Sequence, residues 1–346
     1  MAGEDGCDQT DRWSFPGDPK VGVGSRHHIV SRFYLKRWAN ADGQIDVVEK
    51  PGGKRCRVNI KDAATEKDFY TYIDLNGEPA GHLEQLLSHI EDQASSAIAN
   101  IVHPTFGGFP PSPEEKHYIA TLLAFQVARG RKTRRSIELQ ADLVTRLQLS
   151  AMDRSQVVER LRQEGEEPTD ERIQEAVEFI SNLDEYEFVP DPNDHLKMMG
   201  GLSFELYKRL MRRHWYLAEF DAPVLLTCDE PVVRYSSQSD PMESLGFLNA
   251  EEVWFPLGPE FLLILTRDVQ SLPYRFRVPN ESAATTNLML MHNAYQYIFL
   301  RPDHAALPEL PPDEPPFRVE APGFPMVERY NKPPTVKRTQ RRRTQK

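Results

Sequence analysis

The 346-residue chain is 39% hydrophobic and 10% aromatic, which suits a folded core and excludes an intrinsically disordered protein. No apolar run is long enough for a membrane-spanning helix, and the acidic start Met1-Ala2-Gly3-Glu4-Asp5 is unlike a secretory leader. The net charge is −10, yet Lys337, Arg338, Arg341, Arg342, Arg343 and Lys346 make the last ten residues basic, so any contact with nucleic acid is expected to be weak and confined to that tail. Three cysteines without CxxC spacing point to a reducing cytoplasm and away from disulfides or a cysteine zinc site.

Residues 1–25 carry no periodicity and read as a loose terminus. Arg26-His27-His28-Ile29-Val30-Ser31-Arg32-Phe33-Tyr34-Leu35-Lys36-Arg37-Trp38 has helical spacing, with Ile29, Val30, Phe33, Leu35 and Trp38 inward and Arg32, Lys36 and Arg37 elsewhere. His28 at its entry is either a polar cap or a cleft-facing acid, base or metal ligand. A hairpin follows, with strands over 44–49 and 55–60 around the Pro51-Gly52-Gly53 turn. Glu66 and Asp68 are two apart, so on a strand they share a face, either as a solvated edge or as paired carboxylates for a divalent metal.

The clearest helix spans 79–103, its stripe running from Leu83 through Leu87, Ile90, Ala94, Ala97 and Ile98 to Ile101, with Glu84 and Glu91 beside it. Ser112-Pro113-Glu114-Glu115 is a capping box opening a helix that ends near Arg129. Arg129 sits in an otherwise apolar helix. It either serves a site or pairs structurally with Glu84 or Glu91. Residues 134–186 read as a charged helical insertion broken at Gly165, and a further helix covers 194–213. From 214 the period becomes strand-like, with strands at 215–220, 224–227, 231–235, 252–257, 261–266 and 297–300, and a helix starting near Asn280. Asp229, before Pro231, is either a turn-stabilising carboxylate or a site residue. Residues 302–336 are Pro-rich.

Several of these stretches resemble one family. His27-His28-Ile29-Val30, Phe33-Tyr34-Leu35 and Trp38 resemble the opening of domain of unknown function 4238, a bacterial family, with Ser31 where its members carry Pro and Trp38 where they carry Phe. Glu84, Leu87, Ile90 and Glu91 match its helical pattern, Arg129 its helix-end arginine, and Thr227-Cys228-Asp229-Glu230-Pro231 its Thr-Ser-Asp-x-Pro turn. The resemblance covers roughly residues 27–301 and implies one family domain over 26–301, but no reaction.

Gly-rich phosphate loops, HExxH, GxSxG and kinase signatures are absent. The expected fold is α+β: an N-terminal β-hairpin, a central helical layer and a mostly antiparallel sheet in the second half. The leading expectation is a cytoplasmic metal-dependent phosphoester hydrolase acting on a phosphate-containing substrate. Glu66, Asp68, Glu84 and Asp229 would gather Mg²⁺ or Mn²⁺, His28 would act as base and Arg129 would steady the anion. The alternative is a non-catalytic binding or sensor protein, of the kind found in a bacterial defence or stress module.

Overall fold

The computed structural model describes residues 26–50, 53–67, 72–73, 79–80, 82–103, 108–237, 246–305 and 307. The N-terminal segment, Asp68, the basic tail and all but the start of the Pro-rich stretch lie outside them.

The first elements are β1 (Arg26–His28), α1 (Arg32–Leu35) with a 3-10 turn over Lys36–Trp38, β2 (Gln44–Glu49), β3 (Arg55–Asn59) and β4 (Thr65–Lys67). The helix expected from Arg26 therefore starts later, because the histidine pair is strand. β1 pairs antiparallel with β4, His27 opposite Glu66 and His28 opposite Thr65, and the Ile29 amide extends the ladder to the Ala64 carbonyl at 2.9 Å. Ser31 is extended, with φ −55° and ψ 133°, so helix begins only after it. The β2–β3 hairpin is as expected.

β5 (Tyr72–Ile73) and β6 (Pro79–Ala80) form a small ribbon ahead of the helical layer. That layer comprises α2 (His82–Val102), α3 (Pro113–Ala128), α4 (Arg131–Ser150), α5 (Arg154–Gln163), α6 (Asp170–Ser181) and α7 (Pro192–Met211). The stripe of α2 is buried from Leu87 to Ile101. α3 opens on the expected capping box, the Ser112 hydroxyl accepting from the Glu115 amide and the Glu115 carboxylate from the Ser112 amide. It packs between α2 and α7, so it is apolar on most of its circumference. α5 and α6 form a hairpin with its own small cluster of Val157, Leu161 and Ile173, and Gly165 between them takes a φ of +78°, which favours glycine.

The second half supplies β7 (His214–Phe220), β8 (Thr227–Cys228), β9 (Val233–Tyr235), β10 (Glu252–Gly258), β11 (Phe261–Thr266), β12 (Arg275–Val278), α8 (Ala283–Asn293) and β13 (Tyr297–Leu300). These do not form one sheet. One sheet runs β12-β7-β11-β10-β9 and another runs β3-β2-β13-β8. Alternation along the strands feeds two cores. Leu217, Leu263, Val253 and Phe255 join the helical layer, whereas Ala218, Phe220, Leu262 and Trp254 join α8. The strand expected over 224–227 shortens to Thr227–Cys228. β12 carries no clear alternation and pairs parallel to β7. The architecture is α+β, and no helix among the described residues is long and apolar enough to cross a membrane.

Candidate functional site

The end of β1, the short helix α1 and the middle of α2 enclose a cavity of about 460 Å³. His28 and Arg129 line it, with Arg32 and Lys36 from the α1 turn and Ser88, Glu91 and Asp92 from α2. Arg32 and Lys36 are four apart on one helical turn, which puts their basic groups on the same side.

Arg129 centres a buried polar network. Arg129, the C-cap of α3, is 3% exposed. It donates to Glu91 Oε1 at 2.9 Å, and to Ser31 Oγ and Gln126 Oε1 at 2.7 Å each. Ser31 Oγ donates to the same Glu91 oxygen at 2.6 Å, and Gln126 Nε2 donates to the Ile29 carbonyl at 3.0 Å. A buried guanidinium needs this kind of compensation, and here it staples the entry of α1 to α2 and α3. Of the two partners the sequence offered Arg129, the fold supplies Glu91. Ser31 stands where the resemblance has Pro, and its hydroxyl is a member of the network.

Glu66 belongs elsewhere. It faces His27 across the β1–β4 ladder, on the opposite side of the ribbon from His28. Its carboxylate accepts from Arg131 Nε at 2.9 Å, and Arg131 Nη1 continues to Gln296 Oε1 at 2.7 Å. Asp229 joins this second network at its far end, because the Gln296 amide donates to Asp229 Oδ2 at 2.8 Å. The Tyr295 amide at 2.8 Å and the Tyr297 amide at 3.1 Å complete its hydrogen bonds. Of the two readings of Asp229, the geometry is that of a carboxylate holding a chain bend. Burial pushes its pKa up, against those three amides.

Glu230 beside it also faces inward. Its Oε1 accepts from the Lys132 amide at 2.9 Å, capping the N-terminus of α4 from another segment. It lies so close to Gly130 that a Cβ there would sit 2.3 Å from Glu230 Oε2. Burial and the neighbouring Asp229 raise the pKa of Glu230 to about 8, and burial lowers that of Lys132. Cys228 is fully buried and its thiol is pushed well above the usual range by that burial, so it lacks the thiolate character a nucleophile needs.

The structure thus brings His28 and Arg129 together at one cavity, and Glu66 and Asp229 together in a separate network. Asp68 and the side chain of Glu84 lie outside the described residues. Among those residues no group of three or more His, Cys, Asp or Glu side chains is placed to hold a metal ion. Sequence reasoning set aside Arg32 and Lys36 as pointing away, although their i, i+4 spacing was a visible signal. It missed Glu230 and Gly130, whose partnership spans one hundred residues and leaves no local mark.

The model of one protein family, described as Protein of unknown function (DUF4238), matches residues 26–304. The chain belongs to that family. No curated protein and no solved structure matches it. The DUF4238 segment takes in both polar networks, the cavity and both large sheets.

Proposed function

We propose that the cavity is a binding site for a small phosphate-bearing anion, and that the protein acts as a ligand-binding or sensor module in the cytoplasm. One observation carries this reading. Arg32 and Lys36 line the cavity, yet neither has a hydrogen-bond or ion-pair partner among the described residues, whereas the Arg129 guanidinium donates to Glu91, Ser31 and Gln126. Cations left open at a cavity mouth, over a prearranged polar wall, are what an anion site needs. The candidate metal carboxylates favour binding over hydrolysis, since Glu66 is held by Arg131 and Asp229 by three amides.

The test is calorimetry and thermal shift with a panel of phosphate monoesters. At least one ester should raise the melting temperature with dose, as ligand at a hundred times Kd adds about 2.7 kcal/mol. The double substitution Arg32→Ala with Lys36→Ala should abolish that rise and leave the unliganded protein folded. A panel without any response removes the reading.

Metal-assisted phosphoester hydrolysis keeps one specific support. His28 lines the same cavity, and in the sequence Glu84 stands seven residues before Glu91, which also lines it. On that reading Mg²⁺ or Mn²⁺ binds near Glu84, and turnover of a chromogenic phosphodiester appears only with metal and is lost in His28→Ala.

A further inference from the structure

The cavity lining is mixed in character. Arg32 and Lys36, from the α1 turn, supply a basic pole. On α2, Glu91 is held by Arg129 and Ser31, while the Asp92 side chain is exposed and has no hydrogen-bond or ion-pair partner among the described residues. Phe33, an aromatic ring only partly covered by the core, and the largely buried aliphatic side chains of Ile60 and Leu87 also line the cavity. A free phosphate would touch only the basic pole. A sugar phosphate would leave the uncovered part of the Phe33 ring against water, which apolar surface disfavours.

Resting on the anion-site reading above, we infer that the ligand is a nucleoside 5′-monophosphate whose base carries an exocyclic amino group. The phosphate meets Arg32 and Lys36, where guanidinium geometry matches phosphate oxygens. The base lies against Phe33 with Leu87 and Ile60 beside it, since every nucleobase has a face that stacks on an aromatic ring. The amino group donates to Asp92, the pairing an aspartate makes with an amino-bearing base edge. The volume of about 460 Å³ lies within the range of small-ligand sites. A longer nucleic acid is disfavoured, because a chain of net charge −10 repels a polyanion beyond the reach of this one basic pole.

The experiment is calorimetric titration of the full chain with adenosine monophosphate, inosine monophosphate, ribose 5-phosphate and inorganic phosphate. Adenosine monophosphate should bind at least about ten-fold more tightly than ribose 5-phosphate, and Phe33→Leu should shrink that gap. It should also bind several-fold more tightly than inosine monophosphate, which lacks the amino group, and Asp92→Ala should erase that preference. Equal binding of adenosine monophosphate and ribose 5-phosphate would overturn the nucleoside assignment and leave the anion site standing. An adenosine-over-inosine preference that survives Asp92→Ala would overturn the amino contact. Failure of every phosphate ester to bind would take both this inference and the reading it rests on.

Discussion

Arg129 and Arg131 stand on either side of Gly130, and their guanidinium groups serve opposite sides of the β1 strand. Arg129 anchors a network beside a cavity whose Arg32 and Lys36 have no partner among the described residues. Arg131 joins Glu66 and Gln296 in a network that runs on to Asp229. Both are polar, and both draw on residues that a sequence reader would nominate for chemistry. The difference is whether charge is left over after the protein's own groups are satisfied. Leftover charge at a cavity indicates a ligand, and fully engaged charge indicates architecture.

The largest effect should come from the architectural side. Asp229→Ala leaves the amides of Tyr295, Gln296 and Tyr297 without their acceptor just ahead of β13, a central strand. An unsatisfied buried donor costs about 1–3 kcal/mol, so a loss of about 4 kcal/mol in denaturant unfolding is expected. A loss below about 1 kcal/mol would return Asp229 to the list of site residues.

Next is pH. The folded-state pKa of Glu230 is raised to about 8 from an ordinary value of 4.5, chiefly by burial and then by Asp229. Its contribution to stability is complete below pH 4.5 and is lost as pH rises through about 8, because the unfolded chain releases the proton first. Glu230→Gln should therefore remove a downward slope on the order of 3 kcal/mol between pH 5 and 8, read as unfolding free energy against pH. A parallel profile for the two proteins would show that the acid is already ionised when folded.

Gly130→Ala probes the same contact sterically. Its φ of −61° suits any residue, so only the approach of Glu230 forbids a side chain. A cost of about 1–3 kcal/mol is expected. It should shrink when Glu230 is also replaced by Ala, so a double-mutant cycle separates this from a simple glycine effect.

How much of this was readable in advance follows from the range of each interaction. The capping box at Ser112 and Glu115, the β2–β3 hairpin and the α2 stripe are local, and their residues announce them. The pairing of β1 with β4 is set by partners forty residues apart, so helical spacing in Ile29, Phe33 and Trp38 outweighed the two histidines ahead of them. β12 has only four residues and no alternation, and its place beside β7 is decided in three dimensions. Arg129 was legible as an ambiguity, since an arginine in an apolar helix must be paired. Which acid pairs with it depends on how α2 docks against α3. Glu66 and Asp229 looked like ligands because their types are right, and only their partners show that they are engaged.

The smallest stability change belongs to the open charges. Arg32 and Lys36 are exposed, and neither contributes an ion pair within the described residues. Replacing both with Ala should move stability by less than about 0.5 kcal/mol. Arg129→Ala, one layer behind, leaves the Glu91 carboxylate without its guanidinium and should cost about 3 kcal/mol or more. The informative measurement is both quantities on the same variants, melting temperature without ligand and affinity for a phosphate ester. Arg32→Ala with Lys36→Ala should hold the first and lose the second. Arg129→Ala should lower the first, whatever happens to the second. If the exposed pair instead proved as costly as Arg129, those side chains would be part of the protein's internal wiring, and the distinction between open and engaged charge would fail where it matters most.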